Sequence, residues 1–199
     1  TAGIQGLRHS AEGGRLDSRL RGNDENRSMH VFFNDRHALH HGRHEMFRGE
    51  LVPCFEVPAR ADYVIEELRR RGLGTIETSA PEVPMAVLER VHAPRYLQFL
   101  ATAWDEWVAL DPKNAQRDAL PSYWPIRTFR SDVLPASFPA RMGLFSFDAG
   151  SPITAGTWAA ARQGASCAAG GAGRLLAGGR AAFALTPPPG DPAGAGFFG

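Results

Sequence analysis

Two short apolar runs, one near each end of the chain, constrain the fold more than any other feature. The first, MHVFFN, covers Met29 to Asn34, and the second, AAFALT, covers Ala181 to Thr186. Both are rich in residues that favour strands. An apolar strand such as the second is typical of a parallel sheet, because helices cover both faces of such a sheet. The two runs therefore predict two strands of a parallel sheet.

Segments with helical character lie between these runs. PARADYVIEELRRRG predicts a helix from Pro58 to Gly72, since proline suits the first turn and glycine the carboxyl-terminal cap. MAVLERVH predicts a short helix, and PRYLQFLATAWDEWVAL predicts a longer one. GTWAAARQGASCAAGGAGRLLAGG also predicts a helix, but one that is broken by its interior glycines at 164, 170, 171 and 173, each of which costs about 1 kcal/mol relative to alanine. One face of the longer helix is expected to carry Leu97, Leu100, Ala101, Trp104, Trp107 and Val108.

Two stretches are predicted to lack regular structure. Residues 35–57 are expected to form a long loop, because Pro53 and Pro58 limit any helix. Residues 111–143 contain five prolines and are expected to form a second long loop. A connection of this length usually serves as a functional rim or an insertion.

Residues 1–28 have no hydrophobic period and are dense in Gly, Arg, Asp, Asn and Ser, which predicts a disordered extension. The stretches AGIQ and LDSRLRGNDE resemble peptides that arise when bacterial intergenic repeat DNA is translated. We therefore expect 1–28 not to be native coding sequence, with the natural start at Met29. A genuine flexible tail is the alternative.

Composition excludes several function classes. The formal net charge of +1 over 199 residues leaves no electrostatic footprint for nucleic acid. No stretch approaches the roughly 18 apolar residues of a membrane span. The two cysteines, Cys54 and Cys167, are too few for a disulfide framework and are expected to be reduced thiols. A cytoplasmic location follows by default.

Several polar residues are candidates for chemistry. The histidines of HALHHGRH (His37, His40, His41 and His44) have a spacing that could gather a transition metal, but a polar loop with adventitious nickel or zinc affinity is the favoured interpretation. His92 is expected to be a capping or packed histidine. Trp104 and Trp107 are expected to belong to the core. The loop carboxylates Glu45, Glu50 and Glu56 have no spacing that by itself distinguishes them from solvated surface.

Four stretches, taken together, resemble a known family. GELVPCFEVPARADYVIEELRRRG, VLERVHAPRYLQFLATAWDEW, GLFSFDAGSPITAGTW and AAFALTPPPGDPAGAGFFG occur in this order. In combination they are similar to the N-terminal half of the acetylpolyamine amidohydrolases, bacterial members of the histone deacetylase superfamily. The resemblance spans Met29 to Gly199, so residues 29–199 are expected to be the N-terminal part of a deacetylase-like domain.

The resemblance implies both a fold and a reaction. The fold class is α/β, here an incomplete arginase/deacetylase-like parallel sheet with flanking helices. The family uses one zinc ion held by two aspartates and a histidine, a tandem histidine pair that moves protons, and a tyrosine that polarises the carbonyl. Its substrates are acetylated polyamines or small acetylated amines. The zinc ligands would follow Gly199, so no zinc is expected to bind to this fragment.

The terminal loop departs from the family pattern Arg-Pro-Pro-Gly-His-His-Ala-Gly. Pro188, Pro189 and Gly190 match the pattern, whereas Asp191 and Pro192 occupy the two histidine positions. An aspartate has a reference pKa near 3.9, far from the near-neutral value that suits acid–base catalysis, and a proline has no proton to give. No catalytic residue is therefore expected to be intact.

One further position and several alternatives remain. In the family an acidic residue of the rim loop helps to receive cationic polyamine nitrogens, and the resemblance assigns this substrate-binding role to Glu45.

We expect a truncated, inactive amidohydrolase, and we suggest a decayed gene copy because the loop changes and the glycines at 164–173 can arise from single-base substitutions. The alternatives are a non-catalytic polyamine-binding or oligomerisation module, a translated pseudogene fragment, and an enzyme whose missing half is a separate chain. The oligomeric state, including a homo-oligomer, is left open.

Overall fold

A computed structural model describes residues 29–78, 80–126, 128, 130, 132–186 and 194–198. The prediction for residues 1–28 lies outside the described residues, as do Asp191 and Pro192. The strands are His30–Phe33 (β1), His44–Phe47 (β2), Glu50–Pro53 (β3), Thr75–Glu77 (β4) and Ala182–Leu185 (β5). The α-helices are Ala59–Arg71 (α1), Met85–Leu88 (α2), Pro94–Leu110 (α3), Phe138–Phe145 (α4) and Thr157–Leu176 (α5). Short 3-10 helices cover His37–Leu39 and Pro112–Gln116.

The main sheet has three strands in the order β4-β1-β5, and both pairings are parallel. In the central strand, Val31 lies opposite Ile76 of β4 and Phe183 of β5. This arrangement confirms the predicted parallel sheet and both predicted strands. The edge strand β4 was not predicted, because three residues are too short to show a period.

Helices cover the two faces of this sheet. On one face Ala61 and Ile65 of α1 pack against Val31 and Phe33. On the other face Cys167 of α5 packs in a cluster with Phe32. Alternate residues of a strand point to opposite faces, so β1 supplies side chains to both layers. The α/β fold class is confirmed.

Helix α1 has the predicted ends. Gly72 adopts the left-handed conformation with φ of +61°, and its amide bonds to the carbonyls of Leu68 and Arg69. Glycine suits this position because a Cβ would be strained at positive φ. Arginines 69–71 fill the last turn, where positive charge favours the carboxyl-terminal dipole.

A second core forms where α3 packs on α4. The rings of Phe99 and Phe145 lie 4.9 Å apart between centroids, and Tyr96 and Ala103 complete the buried surface of α3. The buried face of α3 therefore differs in part from the predicted one. Leu97 is buried as expected, but Ala101 is exposed. Trp104 and Trp107 are only half-buried, so they belong to the edge of this core.

The prediction of one long loop over residues 35–57 is wrong, because β2 and β3 form an antiparallel hairpin there. Its turn contains Arg48 and Gly49 with φ of +53° and +87°, as in the turns that suit two-residue hairpins. The sequence signal for this hairpin was weak for two reasons. Arg-Gly is not a typical turn pair, and only Glu45 among the strand residues is buried.

The prediction of irregular structure over 111–143 also needs correction. Helix α4 begins within it and has Pro139 in its first turn, where a missing amide proton costs nothing. The 3-10 helix Pro112–Gln116 also starts with a proline. Both prolines therefore mark helix beginnings, not helix breaks.

The predicted helix is present as α5, but the predicted break at its glycines is wrong, because α5 runs without interruption from Thr157 to Leu176. At Gly170 the helix lies against β1, and a Cβ there would stand 2.8 Å from the ring of Phe32. Within the part of the chain that the structure describes, no helix has both the length and the apolar character needed to cross a bilayer.

Candidate functional site

A cavity of about 480 Å³ lies beside the carboxyl end of β5, where Thr186 forms part of its wall. The other walls come from the segment after β1, the residues after β3, helix α3, the loop before α5, and α5 itself. Ligands of open α/β sheets bind outside the carboxyl ends of the strands. This cavity is therefore the candidate functional site.

The wall contributed by α5 is made of small residues. From Ala160 to Ala168, the helix presents only alanine and glycine to the cavity, with Gly164 at the middle. Side chains this short leave the space open and present a largely apolar surface. Apart from Thr157 at the first turn of α5, the polar groups of the site therefore come from the loops and from α3.

Asn34 anchors the first of these loops. It is fully buried, its Nδ2 donates to the carbonyl of Ala160 at 3.0 Å, and its Oδ1 accepts from the amide of Arg36 at 3.0 Å. These two hydrogen bonds fix the position of the loop relative to α5, because leaving either group of the buried amide without its partner would cost about 1–3 kcal/mol. Sequence reasoning missed Asn34, which resembles any polar residue at a strand end.

The same loop packs closely on the segment before α5. A Cβ on Gly156 would lie 2.2 Å from the carbonyl oxygen of Leu39, and one on Gly42 would lie 2.5 Å from Cγ of Pro152. Real Cβ atoms do not come this close to other atoms, so both positions need glycine. These contacts hold the two loops together at one side of the cavity.

His40 is the histidine that reaches the cavity. Its Nδ1 lies 2.8 Å from Oγ1 of Thr157, and that hydroxyl also accepts from the amide of Thr154 at 2.8 Å. Burial lowers the pKa of His40, with Asp118 acting in the opposite direction and His41 in the same direction. The imidazole is therefore neutral at pH 7, and it can serve as a hydrogen-bonding group of the cavity wall.

The remaining histidines do not gather around a common point. His37 is buried, with Nδ1 2.8 Å from the carbonyl oxygen of Asn34 and Nε2 3.0 Å from Oδ1 of Asp62. His41 and His44 are exposed. The interpretation of HALHHGRH as a metal-gathering motif is therefore wrong for the described residues, since each ring has its own surroundings.

His92 is a packed histidine, as predicted. Its ring lies edge-on to Tyr96 at 5.6 Å, and its Nδ1 is 3.2 Å from the carbonyl oxygen of Gly194. The amide of Ala93 donates to the carbonyl of Ala195 at 2.7 Å. These contacts attach residues 194–198 to the start of α3 and bring Phe198 to the cavity wall.

Two further groups of the wall are held in their neutral form. Burial raises the pKa of the Tyr96 hydroxyl well above its ordinary value. Burial, together with the charges of Glu45 and Asp118, raises the pKa of the Cys54 thiol to about 11. Burial and Asp35 raise the pKa of Cys167 to about 11. Both cysteines are free thiols, which agrees with the prediction, and neither is an activated nucleophile.

The three loop carboxylates have different surroundings. Glu45 is only 9% exposed, and its Oε2 accepts from the amide of Phe55 at 3.1 Å, so it is not a solvated surface residue. Glu56 lines the cavity and pairs with Arg60 one turn further along the chain. Glu50 is exposed on the hairpin. Of these three carboxylates, Glu56 borders the cavity directly, whereas the charge of Glu45 acts on the thiol of Cys54 in the cavity wall.

The zinc that the resemblance implies finds no ligand set in the described part of the chain. There, no three side chains of the His, Cys, Asp and Glu types lie close enough together to hold a metal ion. The described residues therefore do not fit the group by themselves, and no chemical step is derived through it.

A protein-family comparison matches residues 54–196 to the histone deacetylase domain. Acetylpolyamine amidohydrolase 2 of Pseudomonas aeruginosa is 42% identical over 172 residues, which make up 86% of this chain and 48% of that protein. Acetylpolyamine amidohydrolase of Mycoplana ramosa is 36% identical over 171 residues, 86% of this chain and 49% of that protein. The chain thus spans about half the length of the curated relatives it matches.

A solved structure has a similar fold. The crystal structure of acetylpolyamine aminohydrolase from Burkholderia pseudomallei superposes with a TM-score of 0.74 and 28% sequence identity. The superposition covers 86% of this chain and 49% of that chain. The parallel sheet and its flanking helices are therefore those of a known architecture.

Proposed function

The chain belongs to the histone deacetylase domain family, and from this premise we propose that it is part of a zinc-dependent amidohydrolase acting on acetylated polyamines or related amines. One observation carries the proposal: the cavity lies at the carboxyl end of β5, and Thr186 in its wall begins the terminal loop whose sequence carries Asp191 and Pro192 in the tandem-histidine positions. The names of the curated relatives support the substrate class.

We further propose that the 199-residue chain alone does not hydrolyse acetylpolyamines. Asp191 and Pro192 stand where the family pattern has two histidines, and loss of a positioned acid–base group costs about 10²–10⁴ in rate. The described residues also bring no metal-ligand cluster together. In this proposal residues 29–199 supply the loops around the cavity, and other residues of an amidohydrolase domain supply the zinc site.

Glu45 remains the proposed receiver of cationic nitrogen at the rim, now together with Glu56. Glu45 is buried and its charge acts on the thiol of Cys54, which lines the cavity together with Glu56, so the two carboxylates can act together on a polycation. We expect Glu45→Gln and Glu56→Gln each to weaken spermidine binding by about two- to fivefold, a range typical of a single partly screened charge. Glu50→Gln is the matched control, because this exposed hairpin carboxylate does not border the cavity. Equal affinities in all three variants would refute the rim assignment.

A non-catalytic binding or oligomerisation module is the second candidate function. Four large apolar side chains are exposed in the hairpin and just after it: Met46 lies opposite Leu51 in the strand register, and Phe47 meets Phe55 edge-to-face at 5.4 Å. Exposed apolar patches with a polar rim often mark interaction sites. The patch favours association of the hairpin with another protein surface.

The test is metal analysis of the purified chain together with an acetylspermidine deacetylation assay. We expect no stoichiometric zinc and no acetate released. Turnover with bound zinc would refute the proposed inactivity. Spermidine titration by calorimetry then separates what remains: affinity that depends on Glu56 supports a retained polyamine site, including the non-catalytic polyamine-binding module, and absence of affinity leaves an oligomerisation module or a translated pseudogene fragment.

A further inference from the structure

A second, smaller cavity of about 150 Å³ lies between α3 and the start of α5. Its walls come from α3, from the loop before α5 and from the first turn of α5. Leu100 and Ile153 line both cavities, so the two are neighbours. Neither β5 nor residues 194–198 border the smaller one. The small cavity is therefore built by the two helices and the loop before α5, and not by the sheet.

Two tryptophans give this cavity aromatic walls. Trp104 and Trp158 both line it, and both are half-buried. The ring of Trp158 already accepts a cation, since the guanidinium of Arg162 lies over it at 5.5 Å from the centroid. Arg162 is not part of the wall, and Glu82 pairs with its charge. Tryptophan attracts cations more strongly than the other aromatic side chains do, because the faces of its ring are electron-rich.

Asp105 places a negative charge in the same wall. Its neighbour Glu106 pairs with Arg141, whereas Asp105 is exposed and forms no ion pair with any described residue. This charge is therefore available to a ligand. Aromatic walls beside a free carboxylate favour an organic cation over a neutral or an anionic group.

The hydrogen-bond acceptors of the loop wall are already occupied. The carbonyls of Ile153 and Thr154 accept from the amides of Ala119 and Thr157, and the hydroxyl of Thr154 contacts that of Thr157 at 3.1 Å. A primary ammonium has three donors, and most of them would find no partner here. A methylated ammonium needs no acceptors, and a cavity of about 150 Å³ is large enough for a ligand the size of benzene.

We propose that the small cavity binds a methylated ammonium group against Trp104 and Trp158, with Asp105 as its counter-charge. The group belongs to a small quaternary amine or to a methylated lysine, which share this chemistry. The site is separate from the rim carboxylates Glu45 and Glu56. The inference rests neither on the proposed activity nor on zinc, so binding can be tested without measuring turnover.

The test titrates the full chain with three matched probes and follows binding by NMR. Choline carries the methylated ammonium, its neutral isostere has carbon in place of the nitrogen, and ethanolamine has a primary ammonium. We expect choline to bind with a dissociation constant of about 1 mM. The other two probes should bind at least about fivefold more weakly, because one lacks the charge and the other lacks the methyl groups.

Variants assign the binding to this cavity. Trp104→Leu and Trp158→Leu should each weaken choline binding by at least about fivefold, and Asp105→Asn by at least about threefold. Glu66→Gln removes an exposed carboxylate of α1, which does not border the cavity, and should bind choline like the wild type. Trp124→Phe, at a tryptophan outside the cavity, should do so as well.

Circular dichroism checks that the variants remain folded. If a leucine variant is unfolded, the indole N–H signals of the wild-type chain decide. Those of Trp104 and Trp158 should shift with choline, and those of Trp107 and Trp124 should not. Shifts confined to the latter pair, or absent from all four, overturn the inference.

The probes also discriminate between explanations. Equal affinity for the neutral isostere would make the cavity merely apolar, and equal affinity for ethanolamine would remove the preference for methyl groups; either result refutes the proposal. Loss of choline binding in Glu56→Gln would place the ligand in the larger cavity and refute it too. A trimethyl-lysine peptide separates the two sources of the group. Tighter binding than choline supports a modified protein as the ligand, and weaker binding supports a small amine.

Discussion

Two glycines of α5, only three residues apart, should respond to the same substitution in opposite directions. A Cβ on Gly170 would lie 2.8 Å from Cε1 and 3.0 Å from Cδ1 of Phe32, a ring that is buried in the sheet cluster. A Cβ on Gly173 would meet nothing within 4 Å. Both residues are helical, so alanine brings the same gain in helix propensity at both sites.

The expected magnitudes follow from these distances. Gly173→Ala should stabilise the chain by about 0.4–1 kcal/mol, since the unfolded state loses freedom and nothing clashes. Gly170→Ala has the same gain but also an overpacking cost of about 1–3 kcal/mol. The net effect of Gly170→Ala is thus between neutral and about 2.6 kcal/mol destabilising. The difference between the two variants isolates the cost of the contact with Phe32.

Urea unfolding followed by circular dichroism measures this difference, and calorimetry should show a shift of roughly 2–4 °C for each kcal/mol in a chain of this size. The double variant Phe32→Leu/Gly170→Ala should recover part of the loss, because the smaller side chain relieves the overlap. Equal stabilisation by both alanine substitutions would refute the reasoning, since it would mean that the ring of Phe32 moves away at no cost.

Three further predictions concern the site. Asn34→Ala should lower the free energy of unfolding in urea by about 1–3 kcal/mol, because it leaves the carbonyl of Ala160 and the amide of Arg36 without their partner. The control Arg36→Ala keeps that amide and should stay within about 0.5 kcal/mol of wild type. Equal losses in both variants would contradict the role of Asn34. Burial lowers the pKa of His40, so the unfolded chain takes up this proton first and stability should fall as pH drops below 6.5. An NMR titration midpoint for His40 at or above 6.5 would contradict this, and His40→Gln should lessen the acid loss. The raised pKa of Cys54 and Cys167 gives the opposite pH dependence of stability. The thiols of the unfolded chain ionise first, near pH 9.0, so stability should fall as the pH rises from 9 to 11. Alkylation at pH 8 should therefore be much slower in the folded chain than in urea, and equal rates would show that the thiols are not shielded.

The parts of the fold that the sequence predicts are those with a local signal. Strands β1 and β5 are apolar runs, and α1 carries its own beginning and end in Pro58 and Gly72. The hairpin β2–β3 has no such signal, because its side chains are mostly exposed and its turn is Arg48–Gly49. Its position is set by tertiary contacts that a period along the chain does not show.

The site was less predictable than the fold, because its residues meet only after folding. His40 and Thr157 are hydrogen-bonded although 117 positions separate them, and Asn34 reaches Ala160 across 126. No spacing rule connects such pairs. Motif resemblance assigned a binding role to Glu45, but the structure was needed to show that Glu45 is buried and that Glu56 lines the cavity.

The glycines of α5 bear on whether this sequence is a decayed gene copy. That hypothesis treats the glycines at 164–173 as replacements for better helix formers. At Gly170 the packing gives a different reason, because the close approach of Phe32 leaves no room for a Cβ. At Gly173 nothing in the structure requires glycine, so an accidental replacement there stays compatible with the geometry. A sequence that keeps glycine where a helix must approach a strand has retained the constraint that holds α5 on the sheet. The case for decay therefore depends on Asp191 and Pro192 and not on the helix as a whole.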